Sequence, residues 1–306
     1  MTFDQCAEAY IAAHRAGWRN ARHAEAWEKT LATYASPVIG PLPVQAIDTA
    51  LVMKVLEPIW TVKPETAARL RGRIEAVLDW AKVRGYRTGE NPAQWGGHPD
   101  HLLPPRRKVA KVEHHAALPP ASISAFMADL RQQEGIAARA LEFTILTACR
   151  TGEVVGARWG EIERANGVWT IPGERMKAGR EHRVPLSARA LEILELLRRE
   201  GDFIFPNGRG KPLSNTVLLT FLVKSTGRAG LTVHGFRSSF RDWAAEQTNF
   251  PSEVCEAALA HVASNRVIEA YRRTDFFERR RRLMSEWASF CAKPGIKSGD
   301  VVQLRG

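Results

Sequence analysis

Over the first hundred positions apolar residues recur at helical spacing. Phe3, Ala7, Tyr10, Ile11 and His14 fall on one side of a first helix. Asn20 is placed to cap a second, which carries Ala24, Trp27, Leu31 and Tyr34 on one side. Asp48 caps a third, running through Leu51, Val52, Val55 and Leu56 to a stop near Pro58. Pro64 suits the first turn of a long fourth helix, with Leu70, Ile74, Val77, Leu78 and Ala81 turned inward.

From Gly96 to Pro120 this pattern dissolves. Gly96, Gly97, Pro99, Pro104, Pro105, Pro119 and Pro120 forbid long helices, and Arg106, Arg107, Lys108 and Lys111 form a basic run. Helical spacing resumes over about 122–133 and 136–148. Extended runs follow at Val168–Pro172 and His182–Leu186. Asn166-Gly167 precedes the first, and Lys177-Ala178-Gly179-Arg180 separates the two. Further helices are predicted near 188–200, 214–226, 236–246, 253–260, 266–273 and 276–292. The chain thus reads as mainly α with a small antiparallel β-sheet (α+β). The predicted order is a helical domain over 1–100, a basic Pro-rich linker over 101–118, a second domain over 119–292 and a flexible tail over 293–306.

Composition changes that picture in one respect. An apolar fraction of 44% and a charged fraction of 25% are ordinary for a globular chain of 306 residues, which is long enough for two cores. The excess of 44 Lys and Arg over 33 Asp and Glu, a net +11, is not ordinary. It favours a polyanionic partner, because neutralised phosphates release counterions, over the alternative of a basic protein merely kept soluble by its charge. Arg69, Arg71, Arg73, Lys82 and Arg84 on the fourth helix read equally well as a solvated surface or a phosphate-tracking face. Cys6, Cys149, Cys255 and Cys291 form no Cys-x-x-Cys pair, so reduced core residues are expected in place of a zinc site or disulfide framework. No run approaches the roughly 18 apolar residues that would suggest a membrane span. Met1-Thr2-Phe3-Asp4 opens into a helical pattern with no basic-then-apolar signal, which predicts a cytoplasmic protein.

Candidate chemistry sits in five short segments. Thr147-Ala148-Cys149-Arg150-Thr151-Gly152-Glu153-Val154 places an arginine at a helix end. Glu174-Arg175-Met176-Lys177 brings a lysine to the hairpin turn. Val233-His234-Gly235-Phe236-Arg237 gives His-x-x-Arg at a helix start, and Leu259-Ala260-His261 is followed ten positions later by Tyr271. Each has an ordinary explanation alone: a salt bridge, a solvated lysine, a helix cap, a core tyrosine.

Taken in order, Arg150, Lys177, His234, Arg237, His261 and Tyr271 resemble the catalytic pattern of the tyrosine recombinases, the phage and prophage integrases. The prophage type is resembled most, through Arg150-Thr151-Gly152-Glu153, Val184-Pro185-Leu186-Ser187 and Ala270-Tyr271-Arg272-Arg273-Thr274-Asp275. The resemblance implies a helical, SAM-like core-type DNA-binding domain before a catalytic integrase domain. It implies a site-specific recombinase that acts on double-stranded DNA attachment sites through a 3′-phosphotyrosyl bond, without cofactor, metal or ATP. Arg150 and Arg237 would grip the phosphate, because guanidinium binds an oxyanion bidentately where ammonium does so less well. His234 and His261 would donate to the same oxygens or carry protons. Tyr271 would be the nucleophile, Lys177 the acid for the leaving 5′-oxygen, and Glu153 a partner that orients an arginine. Arg69, Arg73, Arg106, Arg107 and Lys108 are the candidates for contact with the DNA backbone.

The same resemblance implies a monomer in solution, a tetramer on DNA and a bacterial, nucleoid-associated location. The apolar positions Leu283, Met284, Trp287 and Phe290 of the last helix would pack into a neighbouring subunit or back onto their own. A topoisomerase of type IB and a catalytically inactive DNA-binding remnant are the alternatives. Two departures stand out. Ala148 and Cys149 occupy positions where many relatives carry a glycine, and the sequence opens near the core-binding segment, with no arm-binding domain ahead of it. Cleavage at a core site is expected to survive that difference; directional integration is the part it puts in doubt.

Overall fold

The computed structural model of the chain describes residues 1–18, 21–109, 116–227, 230–261 and 274–293, with main chain alone at 21 and 22. The chain divides into two units, Met1–Glu113 and His114–Gly306.

The first unit is helical among its described residues: α1 (Phe3–His14), α2 (Ala21–Thr30), α3 (Ser36–Ile39), α4 (Thr49–Trp60), α5 (Pro64–Val83), α6 (Pro99–Leu102) and α7 (Arg106–Val109). Local chemistry sets the starts. Thr2 and Gln5 cap α1 reciprocally, Asp48 Oδ1 accepts from Leu51 N at 2.9 Å, and Pro64 opens α5. Leu70, Ile74, Val77, Leu78 and Ala81 are fully buried, as their spacing predicts, against Phe3, Val52 and Leu56.

Pro58 does not end α4, which continues to Trp60. A proline this near the C-terminus removes a single helical hydrogen bond, to the carbonyl of exposed Lys54. Trp60 offsets that loss: it is buried, stacks on Trp95 with centroids 5.5 Å apart, and donates to Pro104 O at 2.9 Å. Residues in the first part of the predicted linker are also held here. Leu103 joins the core of this unit, and Arg106 pairs with Glu65.

The second unit contains α8 (Ile123–Arg131), α9 (Ile136–Thr147), α10 (Thr151–Val155), β1 (Ile162–Glu163), β2 (Val168–Ile171), β3 (His182–Pro185), α11 (Ala188–Leu196), α12 (Asn215–Thr226), α13 (Gly235–Gln247), α14 (Ser252–Ala258) and, closing the described part, α15 (Phe277–Ala292). The strands form one antiparallel sheet in the order β1-β2-β3, with Trp169 opposite Val184 and Ile171 opposite His182. The short elements β1 and α10 have too few residues to show a period, so the sequence pattern does not reveal them. A predicted helix at 266–273 and the tail beyond Lys293 lie outside the described residues.

The choice left open for the last helix is resolved within the chain. Leu283, Met284, Trp287 and Cys291 of α15 are buried in their own unit, and Trp287 Nε1 donates to Ile145 O at 2.8 Å. All four cysteines are buried and free. Arg280 anchors the start of the helix, donating to Asp275 Oδ2 at 2.7 Å and to Arg183 O on β3 at 2.5 Å.

Helix α9 is buried on nearly every side and carries a carboxylate into the core. Glu142 is fully buried, and Arg131 and Arg189 donate to its Oε1 at 2.8 and 2.9 Å. Arg139 and Arg189 donate to its Oε2 at 3.2 and 3.1 Å. Burial pushes the pKa of Glu142 up, but hydrogen bonds from Arg189 and Arg131 outweigh it, and the net shift is downward. A depressed carboxylate contributes stability that is complete above its unfolded value, about 4.5, and lost as pH falls through the folded one. Glu142→Gln should therefore cost about 3 kcal/mol in urea unfolding at neutral pH. That is the low end for a broken buried pair, because the three arginines keep some contact with water. The gap between native and variant should close as the pH falls below about 4.5.

Candidate active site

The site is assembled at the junction of α9, α10, α13 and α14. After α9 ends at Thr147, Ala148 takes a left-handed conformation with φ of 50° and turns the chain into Arg150, at the N-terminus of α10. Glu153, buried in the first turn of α10, accepts from Arg150 N at 2.7 Å and from Arg150 Nη1 at 2.8 Å. The carboxylate thus holds both the main chain and the side chain of Arg150.

Arg237 lies in the first turn of α13 and is 5% exposed. Its Nη1 donates to Ala148 O, and its Nη2 to Leu259 O at 2.6 Å. Nη2 also lies 3.1 Å from His261 Nε2, while Nε is buried with no hydrogen-bond partner among the described residues. No carboxylate touches this guanidinium among those residues. Burial lowers its pKa, and the neighbouring charge of Arg150 lowers it further. Arg150 reaches across in turn: its Nη2 lies 3.4 Å from the carbonyl oxygen of Ala260, a second alanine in the left-handed region, with φ of 49°.

His261 follows Ala260 and is held on both ring nitrogens, with Nδ1 2.7 Å from Glu256 Oε2. His234 is exposed at the N-cap of α13, one turn ahead of Arg237. Lys177 stands exposed on the hairpin between β2 and β3, outside this hydrogen-bonded group. The neck of that hairpin is narrow, since a Cβ on Gly173 would meet Gly179 O at 2.9 Å. Tyr271 lies outside the described residues. The geometry thus joins Arg150 to Glu153 and Arg237 to His261, and the two pairs meet through the main chain at Ala148 and Ala260.

Two residues here escaped sequence reasoning. His182 on β3 is lowered to about 4 by burial first, then by Arg280, with Arg237 and Arg150 adding to it. It is therefore a neutral imidazole beside the arginines at ordinary pH. Glu256 sits five positions before His261, and nothing in the Leu259-Ala260-His261 wording marks it. Cys149, between the left-handed alanine and Arg150, is pushed up to about 12 by burial above all, so it remains a neutral thiol.

In the first unit the five backbone-contact candidates differ in their commitments. Arg73 donates to Ala26 O at 2.6 Å and lies over the Trp27 ring at 5.4 Å, so its side chain is part of the helix packing. Arg69 and Arg106 share Glu65. Arg107 and Lys108 are exposed. Arg71, on the same helix, pairs with Glu75 and donates to Ala93 O, a structural use.

Chemically, this is a positive site whose two guanidiniums contact, among the described residues, one carboxylate, neutral carbonyls and an imidazole. Donors fixed in this way suit an anion that develops further charge as it reacts. Among the described residues no group of His, Cys, Asp and Glu stands together as a metal centre, and no helix is long and apolar enough to cross a membrane.

Comparison with known proteins bears on family and fold. Residues 3–98 match the phage integrase central domain, and residues 117–278 match the phage integrase family. Prophage integrase IntA of Escherichia coli K12 is 34% identical over 275 residues, 87% of this chain and 64% of that protein. Prophage integrase IntZ of the same strain is 31% identical over 292 residues, 94% of this chain and 70% of that protein. The chain therefore spans about two thirds of the length of these relatives. Among solved structures, a lambda integrase dimer bound to a core site aligns over 90% of this chain and 97% of its own, with a TM-score of 0.65 and 17% identity. The Tn1549 transposon integrase in complex with circular intermediate DNA aligns over 92% and 99%, with a TM-score of 0.68 and 14% identity. At such identities the likeness is one of fold.

The site also explains one residue of its own motif. A Cβ on Gly235 would stand 2.2 Å from Ala116 O, and Ser239 Oγ donates to Leu118 O at 2.5 Å, so the start of α13 is clamped against the 116–118 segment. Gly235→Ala should push α13 away from that backbone and cost about 2–3 kcal/mol in denaturant unfolding, the usual penalty of overpacking against atoms that cannot yield.

Proposed function

The chain belongs to the phage integrase family, and on that premise we propose that it is a site-specific DNA recombinase that cleaves and rejoins strands through a 3′-phosphotyrosyl bond to Tyr271. The observation that carries this reading is Arg237: a buried guanidinium, beside Arg150, held by neutral carbonyls and, among the described residues, with no carboxylate in contact. A phosphodiester supplies the anion that such a site lacks, and attack on phosphorus increases the charge on the non-bridging oxygens that the two arginines face.

In this mechanism the phenolic oxygen of Tyr271 forms a bond to phosphorus while the bond to the 5′-oxygen breaks. The reference pKa of tyrosine, about 10, leaves about 4 kcal/mol to be found for deprotonation at neutral pH. The arginine pair lowers that cost, and a neutral histidine accepts the proton as attack proceeds. Lys177, exposed on its hairpin, supplies a proton to the departing 5′-oxygen. The phosphotyrosyl ester conserves the energy of the phosphodiester, so a new 5′-hydroxyl can displace the tyrosine without ATP.

Double-stranded DNA is the proposed partner, in integration or excision of a prophage or other mobile element. The net charge of +11 supports it. Structures of similar fold support it too: a lambda integrase dimer is bound to a core site and a lambda integrase tetramer to a Holliday junction. A monomer that assembles into a tetramer on DNA belongs to the same proposal. Because the apolar face of α15 is buried in its own unit, subunit contacts would use other surfaces. Arg107 and Lys108 are the proposed backbone contacts best placed to reach solvent, with Arg69 and Arg106 released from Glu65 on binding.

Nicked suicide duplexes carrying an attachment site test the proposal. The native chain should give a covalent protein–DNA band that Tyr271→Phe abolishes, and Arg237→Lys should slow single-turnover cleavage by about 10²–10³-fold. A band that survives Tyr271→Phe would move the nucleophile elsewhere. Binding of the site without any adduct would make the chain a DNA-binding remnant, and plasmid relaxation without sequence preference would make it a topoisomerase.

A further inference from the structure

Glu256 and His261 form a carboxylate–imidazole pair at the edge of the arginine site. We propose that Glu256 is a positioning residue that holds His261 as the Nδ1–H tautomer, so that Nε2 faces the phosphate site as the proton acceptor; this rests on the recombinase reading.

The two partners of the ring fix its state independently. A carboxylate oxygen can only accept, so the 2.7 Å contact between Glu256 Oε2 and Nδ1 requires the proton on Nδ1. A guanidinium nitrogen can only donate, so the 3.1 Å contact from Arg237 Nη2 requires a lone pair on Nε2. Both assign the same neutral tautomer, and the nitrogen left as acceptor is the one beside the arginine site. Which ring nitrogen carries the proton is set by what the other one bonds.

Glu256 is itself held on several sides. Arg241 Nε donates to its Oε1 at 2.8 Å, and Arg241 Nη2 donates to Ser252 Oγ at 2.9 Å at the start of the same helix. The main chain closes the geometry, with His261 N donating to Glu256 O at 3.0 Å. One residue therefore orients both the backbone and the ring of His261. Arg237 and Arg241 are four positions apart on α13, so one helix face supplies the guanidinium for the site and the guanidinium that fixes the carboxylate. Burial pushes the pKa of Glu256 up, but Arg241 and His261 outweigh it and keep the carboxylate charged.

When a phosphate oxygen takes the hydrogen bond of Arg237 Nη2, Nε2 is released. The proton leaving the oxygen of Tyr271 can then pass to Nε2 as that oxygen bonds to phosphorus. The resulting imidazolium donates from both nitrogens, with the negative charge of Glu256 opposite. The proton returns to the tyrosine oxygen when a 5′-hydroxyl displaces it.

Long-range proton–nitrogen-15 spectra of the histidine rings in the full chain read the tautomer directly, with His261→Gln identifying the resonance. The native chain should show Nδ1 protonated. Glu256→Ala should move the proton to Nε2, the nitrogen that free neutral histidine prefers, and Arg241→Met should leave it on Nδ1. At saturating attachment-site DNA, Glu256→Ala should slow single-turnover cleavage at least about tenfold with the affinity for DNA unchanged. Glu256→Gln, whose single amide oxygen can accept from Nδ1–H only by giving up Arg241 Nε, should keep the tautomer and recover part of the rate. A native ring protonated on Nε2, or a Glu256→Ala chain that cleaves at the native rate, would overturn the proposal. If the native chain forms no adduct, the recombinase reading fails while the spectra still decide the tautomer.

Discussion

The burial of Arg237 with no carboxylate in contact among the described residues is the constraint around which the second unit is arranged. A cation taken out of water needs compensation, and here it comes from the main-chain oxygens of Ala148 and Leu259, 89 and 22 positions away in sequence. Those carbonyls are available because α9 ends with a left-handed residue and because α14 has just ended before Leu259. Gly235 is required for the same reason, since it lets α13 approach the 116–118 backbone closely enough to bring Arg237 inward. Carbonyl dipoles stabilise a positive charge without cancelling it, so the positive potential survives burial and stays in place for an incoming anion.

The rest of the chain shows that this is a choice among several treatments of the same side chain. Three arginines converge on Glu142, which leaves that cluster committed to holding α8, α9 and α11 together. Arg280 is as thoroughly buried as Arg237, yet it is satisfied by Asp275 and so serves as the fastening between α15 and β3. Arg73 is turned onto Trp27 and a helix carbonyl. A net charge of +11 therefore says little about where binding occurs. Whether a carboxylate lies against the guanidinium says much more.

Helix positions and the order of the site residues were legible because both are local. The 3.6-residue period places Leu70, Ile74, Val77 and Leu78 without reference to the rest of the fold, and the spacing from Arg150 to His261 survives as wording in the chain. What stayed hidden depends on contacts between distant segments. Pro58 reads as a stop until Trp60 is seen to be held by Trp95 and Pro104. Glu256 reads as one of many surface acids until the turn after α14 brings His261 back onto it, and His182 reads as a strand residue until three arginines are found around it. The apolar face of α15 has the same pattern whether it packs in its own unit or in another, so periodicity alone could not assign its partner.

Ala148 and Ala260 have left-handed backbones, and their carbonyl oxygens are the ones that meet Arg237 and Arg150. A residue with a Cβ held in that region stores on the order of 1–2 kcal/mol of strain. The same pair of turns is therefore both strained and in contact with the two arginines. Selection for thermostability alone would favour glycine at both positions, relaxing the backbone there while widening the range of conformations from which the two carbonyls are presented. Alanine at these corners narrows the range of backbone conformations from which the two carbonyls meet Arg237 and Arg150.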